Sequence, residues 1–77
     1  MVTKEHERIG LNILCRRKML NMTQKEVASL SGISKSKISS IEHGKSNFTI
    51  KSLMQLADAL NVDYRFLINE TDKKSDL

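Results

Sequence analysis

Apolar residues along this chain recur at helical spacing, and in four places they follow one local rule. Met22-Thr23 precedes Val27, Ile33-Ser34 precedes Ile38, Phe48-Thr49 precedes Leu53, and Val62-Asp63 precedes Leu67. Each is an apolar residue, a side chain able to cap a helix, then an apolar residue at the fourth helical position, which together make a hydrophobic staple. Upstream, Ile9, Ile13, Leu14 and Leu20 share the helical period. The pattern predicts five helices, over about 5–20, 24–31, 35–42, 50–60 and 64–69. Of the four staples only Thr23 completes a capping box, with Glu26; Lys37, Ser52 and Phe66 hold that position in the others. The expected stops are Gly32 and Gly44, together with Asn21 and Asn61, asparagine being the residue after glycine most tolerant of a positive φ.

The second and third helices are joined by about four residues, too few for them to run antiparallel, so they cross steeply as a helix-turn-helix. Within the third, Ile38 and Ile41 form an inner face, while Lys35, Ser36, Lys37, Ser39 and Ser40 make the outer face small, polar and basic. That outer face is suited to a DNA major groove. The fourth helix, IKSLMQLADAL, is expected to bury Ile50, Leu53, Met54, Leu56, Ala57 and Leu60. The fifth concentrates Tyr64, Phe66, Leu67 and Ile68 in five positions, and one face of so short a helix leaves apolar surface for a partner. Residues 1–4 are expected to fray, 5–69 to form the domain, and the charged tail 70–77 to be disordered.

Composition narrows the class. Seventy-seven residues make one small domain with little room for an enclosed active site. Without proline, and with one tyrosine and two phenylalanines, the chain favours an all-α fold over sheets. Lone Cys15 excludes an intramolecular disulfide and reads as a half-buried small apolar residue. His6 and His43 are expected to be solvated, with no metal cluster and no cofactor motif; Met19, Met22 and Met54 read as core fillers. No serine has a histidine and an acid in recognisable spacing, so an enzyme is not expected. No apolar stretch would span a bilayer and the start lacks the apolar core of a signal peptide, which predicts a cytoplasmic protein. The net charge is +4, but from Arg16 to Lys51 eight basic residues face two acids, giving +6 there and −2 elsewhere. A basic centre between mildly acidic ends is what phosphate binding requires, although solvated lysines produce similar distributions.

At TQKEVASLSGISKSKISSIEHGKSNFTIKSL the chain resembles the helix-turn-helix (XRE) family of phage repressors and Cro proteins, whose domain is a five-helix, lambda-repressor-like fold. Arg17, the Met22-Thr23-Gln24 start, Ala28, Gly32, the IS..IE end of the third helix, Gly44 and LADALNV all fall in family register, over about residues 9 to 68. Within the family, the size and the NFTIKSL segment look most like the controller proteins of bacterial restriction-modification systems. The resemblance implies that Lys35, Ser36 and Ser40 face base edges, with solvation or a phosphate contact as the alternative for Lys35 and close approach for the serines. It further implies backbone contacts from Gln24, Lys37, Lys45, Ser46 and Asn47, and a structural pair between Arg17 and Glu42. Ser36 and Ser40 depart from the glutamines and arginines common at such positions, so specificity would rest on Lys35 and on DNA shape.

The function these readings imply is a sequence-specific transcriptional regulator that binds double-stranded DNA. It would act as a homodimer on a palindromic operator, repressing by covering a promoter or activating by touching RNA polymerase beside it. Val62, Tyr64, Phe66 and Ile68 are the expected dimer contacts. The alternative from another class is an antitoxin-like or adaptor module whose fifth helix binds a different protein.

Overall fold

Side chains set where every helix of the domain begins. The computed structural model describes residues 1–69; the tail expected to be disordered lies outside the described residues. Five helices follow in order: α1 Lys4–Met19, α2 Gln24–Ser31, α3 Lys35–Glu42, α4 Ile50–Ala59 and α5 Tyr64–Ile68. Among the described residues there is no strand, and the all-α expectation holds. Thr23, Ser34, Thr49 and Asp63 accept backbone N–H groups at the starts of α2 to α5, as the staples predict.

The start of α1 corrects the sequence reading. Thr3 caps it by accepting from the His6 backbone N–H, and the His6 ring nitrogen accepts in return from the Thr3 backbone N–H. Lys4 is thus already helical rather than part of a frayed end. His6 is not simply solvated: its ring meets Phe48 edge-on, with centroids 4.9 Å apart. A histidine in the third helical position does the work of the usual glutamate, a substitution the capping-box pattern does not anticipate.

Positive φ values fall at the four expected stops, Asn21, Gly32, Gly44 and Asn61. The core they enclose draws on every helix: Ile13, Val27, Ile38, Ile41, Leu53, Leu56, Ala57, Leu60 and Leu67 are buried. Each large member contributes about 1.5–3 kcal/mol by leaving water. Ile50 and Met54 do not join them, being 66% and 48% exposed, because α4 buries the stripe Leu53, Leu56, Ala57 and Leu60 and, among the described residues, no helix covers the next stripe. Met19, at the end of α1, is also exposed, and so is Cys15, whereas Met22 packs on the core.

Two features of α1 decide how the other helices sit. Gly10 lies against α3 so closely that a Cβ there would come 2.0 Å from the Ile41 carbonyl oxygen, so the crossing admits no side chain. On a neighbouring face, Arg8, Asn12 and Arg16 stand one turn apart and donate to the C-terminal ends of α4 and α5. The Asn12 amide reaches the Leu67 carbonyl at 2.7 Å and the Asn69 carbonyl at 3.0 Å, Arg8 reaches Ile68 at 2.6 Å, and Arg16 reaches Leu60 at 3.1 Å. These donors satisfy carbonyls that α4 and α5 leave without helical partners. A helix of five residues cannot sustain itself in water, so α5 depends on this ladder and on buried Leu67.

Candidate nucleic-acid interface

The third helix is anchored from behind and bare in front. Ser34 accepts from the Lys37 backbone N–H at 3.1 Å, starting the helix, and Ile38 and Ile41 are fully buried. With these inner positions fixed, Lys35 and Ser36 are exposed, and Lys37, Ser39 and Ser40 are half-buried. The outer face therefore presents two lysines, Lys35 exposed and Lys37 half-buried, and short hydroxyls, with no apolar side chain.

Beyond α3 the loop to α4 is tied back to the helix. The Lys45 N–H donates to the Ser40 carbonyl at 2.9 Å, and the Lys37 ammonium donates to Ser46 Oγ at 2.6 Å. Ser46 in turn donates to the Asn47 carbonyl at 3.2 Å. Lys37 and Ser46 are thus brought together, while Lys45 and Asn47 stand exposed beside them.

Arg17 and Glu42 are joined by a buried ion pair. Arg17 Nε donates to Glu42 Oε2 at 2.7 Å and Nη2 to Oε1 at 3.0 Å, with the two residues only 7% and 5% exposed. The third guanidinium nitrogen donates to the Met22 carbonyl at 2.8 Å, bridging into the turn before α2. The hydrogen bond to Glu42 raises the Arg17 pKa above its ordinary value, outweighing the opposing effect of burial, so the arginine remains charged. Gln24 belongs to the same cluster: its amide nitrogen donates to Glu42 Oε1 at 3.0 Å.

In front of this cluster lies an open groove of about 450 Å³, lined by Arg17, Lys18, Asn21, Met22, Thr23, Gln24, Lys25 and Lys35. It joins the end of α1 to the starts of α2 and α3, and its charged lining is entirely cationic. Lys18 and Lys25 are members that sequence reasoning counted only as charge. The signal lay in their neighbours: Lys18 follows Arg17, and Lys25 follows Gln24 at a helix start.

The expected dimer contacts do not form one exposed face. Val62, Tyr64 and Ile68 are half-buried against the chain's own core, and only Phe66, 53% exposed, faces outward, with the Arg16 guanidinium 5.9 Å from its ring centroid. Beside α5, Asp63 is held by Arg65, whose side-chain and backbone hydrogen bonds lower the carboxyl pKa to about 2. Among the described residues, no group of three or more histidine, cysteine or acidic side chains could hold a metal ion, and no helix is long and apolar enough to cross a membrane.

A profile of the helix-turn-helix family matches residues 16–67, which contain α2, α3 and α4 with the end of α1 and most of α5. The chain belongs to this family. A HTH-type transcriptional regulator of Sinorhizobium fredii, y4dJ, is 38% identical over 65 residues, covering 84% of each chain. The control protein C.SmaI of Serratia marcescens is 30% identical over 70 residues, covering 91% of this chain and 83% of that one. Among solved structures, the restriction-modification controller protein C.AhdI of Aeromonas hydrophila superposes with a TM-score of 0.80 at 26% identity, over 84% of this chain and 98% of that one. The resemblance to controller proteins read from the sequence is thereby supported, and the helix-turn-helix family is one of DNA-binding transcription regulators.

Proposed function

We propose that this protein regulates transcription by binding a two-fold symmetric DNA operator as a homodimer, with α3 in the major groove of each half-site. The observation that carries the reading is the division of α3 into a fully buried isoleucine face and an outer face of Lys35, Ser36 and half-buried Ser40. A helix so fixed delivers its outer side chains to base edges without moving its own backbone. Lys35 donates to guanine O6 or N7, and the serine hydroxyls read their bases ambiguously, leaving shape to supply further selectivity.

Phosphates on either side would hold the helix in register. The cationic groove, with Lys18, Lys25 and Gln24, takes the backbone before α3, and Lys37, Lys45, Ser46 and Asn47 take it beyond. The helix dipole at the start of α2 adds to that attraction. One domain offers few base contacts, so two copies on half-sites about one helical turn apart multiply selectivity. Phe66 with Val62, Tyr64 and Ile68 is the contact proposed between copies, and the DNA target sets a cytoplasmic site of action. Blocking a promoter would repress; touching RNA polymerase beside it would activate.

Exposed Phe66, Ile50 and Met54 also fit a different protein partner, as an adaptor or antitoxin-like module would need. Selection of duplexes from random DNA at about 150 mM salt separates the two readings, because merely electrostatic binding is weak there. A recovered palindrome, footprinted by the protein, supports the regulator; recovery of unrelated duplexes supports the adaptor.

A further inference from the structure

Glu42 is the last residue of α3 and its carboxylate is almost wholly removed from water. Three donors hold it: two nitrogens of Arg17, from α1, and the amide of Gln24, the first residue of α2. Arg17 alone would fix the end of α3 to α1. The Gln24 bond adds the other half of the helix-turn-helix, tying the first residue of α2 to the last residue of α3, eighteen positions away. The amide nitrogen carries two hydrogens, so one on Glu42 leaves the second for the groove that Gln24 lines.

We propose that Gln24 is a positioning residue for α3, acting through Glu42, and that it sets the pitch at which α3 meets DNA. The proposal rests on the reading of α3 as the base-contacting helix. A residue serving only as a phosphate donor would act on any DNA sequence alike. A residue that orients α3 acts where the fit of side chains to bases matters, so its loss falls on the operator more than on random duplex.

The test exchanges the two side chains. Gln24→Glu sets a second carboxylate against Glu42 and should lower operator affinity about tenfold while lowering random-duplex affinity less. Adding Glu42→Gln turns the bond round, with the amide nitrogen at 42 donating to the carboxylate at 24 while the amide oxygen at 42 keeps accepting from Arg17 Nε. The double variant should bind the operator at least threefold tighter than Gln24→Glu alone. A double variant no tighter than the single one, or a single variant without loss, overturns the proposal, since a carboxylate facing phosphate stays repelled whatever stands at 42. A second readout needs no DNA: in the free protein, Glu42→Gln should shift the Gln24 side-chain amide resonances, and unmoved resonances overturn the link. If the unaltered protein selects no duplex, the DNA reading fails, and the amide resonances still judge the Gln24–Glu42 bond.

Discussion

The two ends of the domain solve opposite surface problems. Around α2 and α3 the polar groups that matter structurally are inside, as the Arg17–Glu42–Gln24 cluster, and the outer face carries lysines and small hydroxyls. Around α4 and α5 the carbonyls are satisfied from α1, and the outward residues include Ile50, Met54 and Phe66. A surface of the first kind gains from a charged, hydrogen-bonding partner such as a nucleic acid. One of the second kind gains from another protein surface, because exposed aromatic and thioether side chains give most when water is removed from both partners. One small domain thus carries a basic, hydroxyl-bearing face and a separate set of exposed apolar residues.

The contrast can be broken most forcefully at its hinge. Gly10→Val should destabilise the domain by more than about 4 kcal/mol, since the new side chain must enter the Ile41 carbonyl, and thermal melts would show the loss. A variant that melts near the parent would mean α1 and α3 are not locked together. Next in size is Glu42→Ala, which strands the Arg17 charge in the interior and should cost about 3 kcal/mol in urea unfolding. The same substitution should impair DNA binding beyond its cost in stability, because α3 loses both ties.

On the other face, Phe66→Ala should shift unfolding by less than about 1 kcal/mol, since the ring is half exposed, yet weaken self-association roughly tenfold in sedimentation. Unchanged association would move the contact between copies elsewhere. The smallest effect is at Asp63, whose folded pKa of about 2 lies below its ordinary value because Arg65 binds the ionised form. What the carboxylate contributes to α5 is present above the ordinary value, near 3.8, and is lost as pH falls through about 2. Carboxyl resonances should titrate near that lower value, with the α5 amides following.

Much of this was legible in the chain. The staples mark four helix starts, glycine and asparagine mark the stops, and the isoleucine spacing gives the inner face of α3, because each depends on residues a few positions apart. What escaped depends on residues far apart. Gly10 reads as an ordinary small residue until α3 lies across it, and Asn12 as an ordinary polar one until α5 ends beside it. The family resemblance implies a phosphate contact for Gln24, but its bond to Glu42 joins residues eighteen positions apart and exists only in three dimensions. Ile50 and Met54 read as core from the sequence because the apolar stripe of α4 is wider than the face its neighbours cover.

The central claim is that the outer face of α3 reads bases, and Lys35 is where it is most exposed to test. Affinities of the unaltered protein and Lys35→Ala should be compared on the selected operator and on a random duplex across a range of salt. The account predicts a loss of roughly tenfold or more on the operator and a much smaller one on random duplex. Equal losses on both, with a matching fall in salt dependence, would assign Lys35 to the phosphate backbone and contradict it.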